Sequence, residues 1–421
     1  MMQKRYSKKG MIALCALVYF VSYFSRKGFA AVMVEMLAEG VVDNASAGFI
    51  GMGLFVCYGT GQLISGYLGD KIKPQWLMAI GLATTALCNL LMPLMPNGLL
   101  MIPVWALNGL AQAMMWPPIV RILSDNLSHE QYVRANLIVT TAAHIATILL
   151  YLFVPMAIVW WNWQTVFFVA SAAALGAMVV FLVALAFVLP SESAQKEVGA
   201  DQPVDDQGED VPKTSLRSML LASGLFPVLG AIIACGFLRD GIETWLPTLY
   251  SEAFGRDSSE SVLVSVLLPI FSVASITLIT ALHKRRFFNH ELRGTMLLFV
   301  LSALLCVPLS LLMPLPYALT RIICLVLAAL ICAMMHAINF LLISCLPGRF
   351  ARFKRASTVG GLVNAFVYIG AAASMYGIGW LAEHCGWAAT ALCWLGVAAA
   401  GMVLALAGYR AYTTFLKAEK K

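Results

Sequence analysis

Residues 20–33 read FVSYFSRKGFAAVM. Two adjacent cations, Arg26 and Lys27, interrupt a run that is otherwise apolar enough to cross a bilayer. A charge at mid-membrane costs about 3 kcal/mol on insertion scales, so each side chain must face a wet cavity or a partner. The rest of the chain shows that the run is a span. Hydrophobic residues make up 61% of 421 positions and charged residues 12%, and mean hydropathy is +0.83. A soluble core needs far less apolar surface, so the composition is that of a polytopic, all-α membrane protein. This first run lacks a small-residue cleavage site and is too long for a signal peptide, so it is expected to be retained.

Outward from this stretch, apolar runs of about 20 residues or more fall at 10–38, 47–69, 76–96, 99–122, 133–159, 164–189, 219–250, 260–282, 295–313, 316–345, 357–383 and 387–412. They predict twelve transmembrane helices. The loops between them alternate in charge. The N-terminus, GDKIKPQ, RILSDNLSHEQYVRAN, the segment 190–217, HKRRFFNHELR, GRFARFKRA and the C-terminal tail hold 23 of the 28 Lys and Arg, and the alternate loops hold one, Arg256. This bias predicts cytoplasmic N- and C-termini. It accounts for the net charge of +7 without a nucleic-acid partner. The four remaining cations, Arg26, Lys27, Arg239 and Arg321, lie within spans.

The one long polar segment, PSESAQKEVGADQPVDDQGEDVPKTS at 190–215, is acidic and poor in aromatics, the composition of a disordered linker. The expected organisation is an N-terminal six-helix half (1–189), a cytoplasmic acidic linker (190–218) and a C-terminal six-helix half (219–421) with a short cytoplasmic tail. The ten cysteines are scattered, with no CxxC pair or Cys/His cluster, and there is no Walker A loop, GxSxG elbow or HExxH helix. No metal, no cofactor and no enzymatic activity are expected.

The halves echo each other. Arg26 follows Phe24-Ser25 late in helix one, and Arg239 follows Phe237-Leu238 late in helix seven, 213 positions on. The GDKIKP turn after helix two is matched by HKRRFF after helix eight, and Asp70 to His283 is again 213. Two parallel, pseudo-symmetric six-helix halves around a central cavity are the architecture of the major facilitator superfamily. In it, Arg26 and Arg239 place one guanidinium on each side of the pathway, and a planar fork suits phosphate or carboxylate. Lys27 lies about 100° round the helix from Arg26; it either lines the cavity edge or pairs with an acid on a neighbouring helix. In LRDGIETWLPTLY (238–250), Asp240 and Glu243 are ion-pair partners for Arg239 or, alternatively, a proton site. Arg321, near the outer end of its helix, is expected to snorkel.

YFSRKGFAAVM (23–33) resembles the Arg-Lys segment of the organophosphate:inorganic-phosphate antiporters, the branch that includes the glycerol-3-phosphate and hexose-phosphate transporters. LNGLAQAMMWPPIVRIL (107–123) resembles that family's fourth helix, its Gly-Trp-Pro-Pro core appearing as Met115-Trp116-Pro117-Pro118. TTAAHIATILL (140–150) is similar to the fifth helix, with His144 in the place of a cavity histidine. LRDGIETWLPTLY is similar to the seventh. The resemblance implies that Arg26 and Arg239 hold the phosphate group, that Tyr19, Tyr23 and Trp116 line or wall the cavity, and that His144 donates to substrate or changes charge with pH. GYLGDKIKP (66–74) resembles the superfamily's cytoplasmic loop motif, with Gly66 and Asp70 at its key positions. There are departures. Where the family carries lysine one turn after Tyr58-Gly59, this chain has Gln62, and Gly236 stands where a tyrosine is expected. The helix-seven aspartate is replaced by Thr244, with Glu243 one position earlier. In the second half, His336, Asn339, Asn364 and Tyr368 are polar enough to touch substrate hydroxyls.

The expected activity is secondary transport of a small organic anion by alternating access, an organophosphate exchanged for inorganic phosphate. The expected setting is the inner (plasma) membrane, as a multi-pass monomer in the lipid bilayer. Two other readings are open at this point: a membrane receptor for a phosphorylated metabolite, and a proton-coupled carrier of a carboxylate or other solute.

Overall fold

In the computed structural model, residues 7–188, 216–283, 290–315, 317–353 and 356–419 are described, and all regular structure among them is helical. The acidic stretch 190–215 lies outside them. The first half runs α1 (Lys8–Ala38), α2 (Asn44–Lys71), α3 (Pro74–Leu91), α4 (Gly98–Ala113) with α5 (Trp116–Asn126), α6 (His129–Trp160) and α7 (Gln164–Val188). The second half begins with a short α8 (Leu216–Ala222). It continues with α9 (Leu225–Phe254), α10 (Ser258–Val264) with α11 (Leu267–His283), α12 (Glu291–Leu312), α13 (Ala318–Asn339) and α14 (Ala356–Glu419).

Among the described residues, eleven helical stretches are long and apolar enough to span, the last of them 60 residues, Thr358–Lys417. At 1.5 Å per residue that stretch is about three times the ~30 Å hydrocarbon thickness. It breaks at Gly386, where φ is 78° and ψ is 173°, values open to glycine and strained for other residues. The break divides α14 into two crossings, giving twelve among the described residues.

Helix ends follow local chemistry. Ser7 accepts from the Gly10 N–H at 3.1 Å and caps α1. Asp43 accepts from the Ser46 N–H at 2.6 Å, and hydrogen bonding from the Ser46 side chain, with this backbone bond second, lowers its carboxyl pKa below the ordinary value. The fourth span is one run in sequence but two helices in space. Pro117 and Pro118 lack amide hydrogens, so α4 stops at Ala113 and α5 starts afresh with proline in its first turn. The seventh span begins at Leu225, later than the expected 219, because Gly224 turns the chain with φ 67°.

The two halves meet at the end of the bundle away from the termini. One continuous apolar cluster there takes in Phe29, Met33 and Met36 of α1, Ile50 and Leu54 of α2, Trp245 and Leu249 of α9, and Met375 and Ile378 of α14. Nearer the termini the clusters stay within one half: Met11, Cys15, Val18, Met78, Ile119 and Phe181 in the first, Ile279, Ala337 and Leu341 in the second. The closed end depends on small residues. A Cβ on Gly48 would sit 2.8 Å from the Met375 carbonyl, and one on Gly379 would sit 2.5 Å from the Asn44 carbonyl. In lipid, helices associate by such close packing, because the hydrophobic effect gives no net drive between them.

Candidate substrate-binding site

Facing the second half, α1 supplies Tyr19, Tyr23 and Arg26. Their i, i+4, i+7 spacing puts all three on one helix face. The Arg26 guanidinium carbon lies 4.3 Å from the Tyr23 ring centre and 4.9 Å from that of Tyr58 on α2. Ring faces attract a cation by about 0.5–2 kcal/mol. Tyr19 packs against Tyr23 at 4.9 Å and Trp116 at 5.0 Å, so Trp116 backs the tyrosine wall. Among the described residues Arg26 has no carboxylate partner, and its Nε is buried with no hydrogen-bond partner.

Arg239 occupies the corresponding place on α9 but is held. Its Nη2 donates to Asp240 and its Nη1 to Asn339 of α13, both at 2.5 Å. Lys27, turned away from Arg26 along α1, meets Glu243 of α9 at 3.0 Å with both side chains nearly buried. That bridge joins the two halves, and Tyr151 of α6 donates to the Glu243 backbone carbonyl at 3.4 Å. Of the two acids near Arg239, then, Asp240 holds Arg239 and Glu243 holds Lys27. Three cations face two carboxylates, and the unmatched positive charge sits on Arg26.

On the α2–α14 side, Gln62 donates to the Tyr58 hydroxyl at 2.9 Å, and Asn364 of α14 donates to the Gln62 carbonyl oxygen at 3.1 Å. Tyr368 packs edge-on against Tyr58 at 4.6 Å. On α6, His144 lies 6.3 Å, centre to centre, from His336 of α13. His144 Nδ1 is 2.9 Å from the Thr140 carbonyl; a carbonyl only accepts, so Nδ1 carries the hydrogen. His336 Nε2 is buried without a partner.

The expected site residues therefore converge between the halves, apart from Gly66 and Asp70. These two fall in the last turns of α2, among residues whose side chains are not described. Arg321 sits in the first turn of α13.

Sequence reading missed Tyr151 and a pair of staples. Trp163 donates to Glu39 at 2.9 Å, and Trp387 donates to Glu252 at 2.9 Å. Glu252 also accepts from Asn44 of the other half at 3.4 Å. Glu39 and Glu252 are once more 213 apart, so the repeat offset pairs the two acids; Trp163 and Trp387 are 224 apart, so it does not pair their donors.

The sequence profile of the Major Facilitator Superfamily matches residues 15–375. A probable hexose phosphate transport protein of Chlamydia trachomatis is 29% identical over 167 residues, 40% of this chain and 37% of that protein. The membrane sensor protein UhpC of Salmonella typhimurium is 24% identical over 262 residues, 60% of this chain and 59% of that protein. Each match thus spans less than two thirds of the relative's length. Among solved structures, the peptide transporter POT in complex with sulfate superposes over 96% of this chain and 94% of its own, with TM-score 0.71 and 16% identity. That likeness concerns the fold.

Proposed function

The chain belongs to the Major Facilitator Superfamily, a family of membrane transporters, and from that premise we propose that it exchanges a small phosphorylated organic anion for inorganic phosphate. The observation that carries this reading is Arg26: a guanidinium with no carboxylate partner among the described residues, set in an aromatic wall, with Arg239 at the corresponding place in the other half. An unmatched cation in a water-poor site is costly, and an oxyanion accepting its two parallel N–H donors removes that cost. Arg239 joins from the other half once the anion competes with Asp240 and Asn339 for its donors. The hexose-phosphate relative supports a phosphorylated cargo.

Exchange follows from the same charge. To change sides empty, the carrier would close both ends over an unneutralised Arg26, a penalty of about 3 kcal/mol or more. A bound anion removes it, so the loaded carrier reorients and the empty one waits. In the orientation set by the basic loops, the closed end faces outward and the parted end faces the cytoplasm, at the inner membrane. Alternating access is then the rocking of the two halves about the site.

The test is phosphate exchange in proteoliposomes loaded with inorganic phosphate, with labelled phosphate added outside. Wild type is expected to exchange, and Arg26→Lys, which keeps the charge but loses the fork, to exchange at least about 100-fold more slowly. A folded wild type that binds phosphate without moving it would favour the sensor reading, which the match to UhpC over 60% of this chain motivates. No binding of phosphate would sink both.

A further inference from the structure

Gln62 lies one turn beyond Tyr58 on α2, where Asn364 of α14 meets it across the seam between the halves. Asn364 donates to the Gln62 oxygen at 3.1 Å, and Gln62 donates to the Tyr58 hydroxyl at 2.9 Å. The chain of donors runs one way, from the second half into the first and toward Arg26. A phenol oxygen that accepts from Gln62 keeps its own hydrogen free to point elsewhere. Among the described residues no acceptor receives that hydrogen, and the Tyr58 side chain is 4% exposed. Its nearest charged neighbour is the Arg26 guanidinium, 4.9 Å from the ring, which has donors only. The hydroxyl is thus a donor awaiting an acceptor beside the one unmatched cation of the site.

We infer that Gln62 and Asn364 are positioning residues that fix the Tyr58 hydroxyl as a hydrogen-bond donor to the anion held by Arg26. The inference rests on the anion reading above and deepens it. The group rewarded at this point is an oxygen that only accepts, as in phosphate or an ionised phosphate monoester. It also gives the departure at position 62 a physical meaning. An amide donates and accepts at once, so it can pass hydrogen-bond polarity across the seam between the halves. A lysine there would donate to Tyr58 but offer Asn364 no acceptor, and a glutamate would accept from Tyr58 and turn its hydrogen away from the site. Hydrogen bonds in such a chain polarise one another, so an anion accepting from Tyr58 strengthens the Gln62–Asn364 contact between the halves.

The test is a double-mutant cycle on inorganic phosphate affinity, measured by calorimetry on the purified full-length protein, with thermal unfolding followed in parallel. Tyr58→Phe and Gln62→Met are each expected to weaken binding about tenfold, the size of one hydrogen bond to a charged group. In the Tyr58→Phe background, Gln62→Met should cost less than twofold, because the hydroxyl it orients is gone. Asn364→Leu, two hydrogen bonds from the anion, should weaken binding a few-fold with the unfolding temperature unchanged, and it reads the relay if Gln62→Met does not fold. Equal cost of Gln62→Met with and without the Tyr58 hydroxyl would overturn the inference, as would a silent Asn364→Leu. Wild type that is folded and fails to bind phosphate would remove the anion reading itself and the inference with it. Tight wild-type binding with an additive cycle removes the inference alone.

Discussion

Arg26 and Arg239 hold the same register in the two halves, 213 residues apart, yet they are in different chemical states. Arg26 is unmatched and rests on two tyrosine rings; Arg239 is tied to Asp240 and Asn339. The repeat has kept the position and not the partners. This matters because two free guanidiniums across one empty cavity would repel, whereas one neutralised by its neighbour does not. In the exchange proposed above, Arg26 is the capture group and Arg239 a reserve that engages when an anion displaces its carboxylate, so engagement and occupancy are linked.

The largest expected effect tests that asymmetry directly. Arg26→Ala should weaken phosphate binding by about 100-fold or more, the loss of two charge-assisted hydrogen bonds. Arg239→Ala should also be damaging, because it strands Asp240 as an uncompensated buried charge, a fault of about 3–5 kcal/mol. Removing both members in Arg239→Ala/Asp240→Ala should recover much of the binding lost in the single variant. Calorimetric titration with phosphate reads all three. If the double variant binds as poorly as Arg26→Ala, the two arginines are equal jaws and the comparison fails.

The cation beside Arg26 offers the next test. Lys27 is matched, but by Glu243 of the opposite half at 3.0 Å, whereas Arg239 takes its carboxylate from the next residue. Lys27→Ala or Glu243→Ala should therefore lower stability in detergent by about 3–5 kcal/mol, and the swap Lys27→Glu/Glu243→Lys should restore most of it. A swap no more stable than either single variant would show that the halves are not joined through this pair.

Twelve spans and the matched positions of Arg26 and Arg239 were legible in sequence. Each rests on a signal that composition or periodicity carries: apolar length, loop charge, a constant offset. Partner choice was not legible. Nothing in LRDGIETW says that Asp240 turns to Arg239 while Glu243, three residues on, crosses to Lys27, because that depends on how two helices from different halves face each other. The amide chain through Gln62 was equally hidden. The sequence marks Gln62 as a departure, but only the approach of α14 brings Asn364 within 3.1 Å of it. The seventh span's start was missed where glycine sets it, at Gly224; the fourth span stands as one crossing, Gly98–Asn126, with a break before Pro117-Pro118 inside it.

A smaller effect is expected at the closed end. Gly48 approaches the Met375 backbone so closely that an added Cβ would lie 2.8 Å from its carbonyl oxygen, and a backbone atom cannot swing aside as a side chain does. Gly48→Val should cost the closed arrangement about 1–3 kcal/mol without touching the site. The equilibrium would move toward the state open at the far end by roughly 5- to 150-fold. Labelling of a cysteine placed at position 376, beside the seam, should become faster in proportion. Unchanged labelling would mean that this end opens by some route other than separation of α2 from α14.

The smallest effect returns to the difference between the halves. Each has an indole–carboxylate staple, Trp163 to Glu39 and Trp387 to Glu252, both at 2.9 Å. The acids are solvent-exposed, so each bond contributes about 1 kcal/mol. The repeat makes the two equivalent within their halves, but Glu252 alone also accepts from Asn44 across the seam. Trp163→Phe should then lower thermal stability slightly and leave the balance between open and closed states unchanged. Trp387→Phe should lower stability by the same amount and also loosen the closed end, because Glu252 loses the contact that aims it at Asn44. Asn44→Ala should reproduce only the second effect. If the two tryptophan variants behave alike in the cysteine-labelling assay, the cross-seam contact contributes nothing, and the asymmetry between the halves is confined to the arginines.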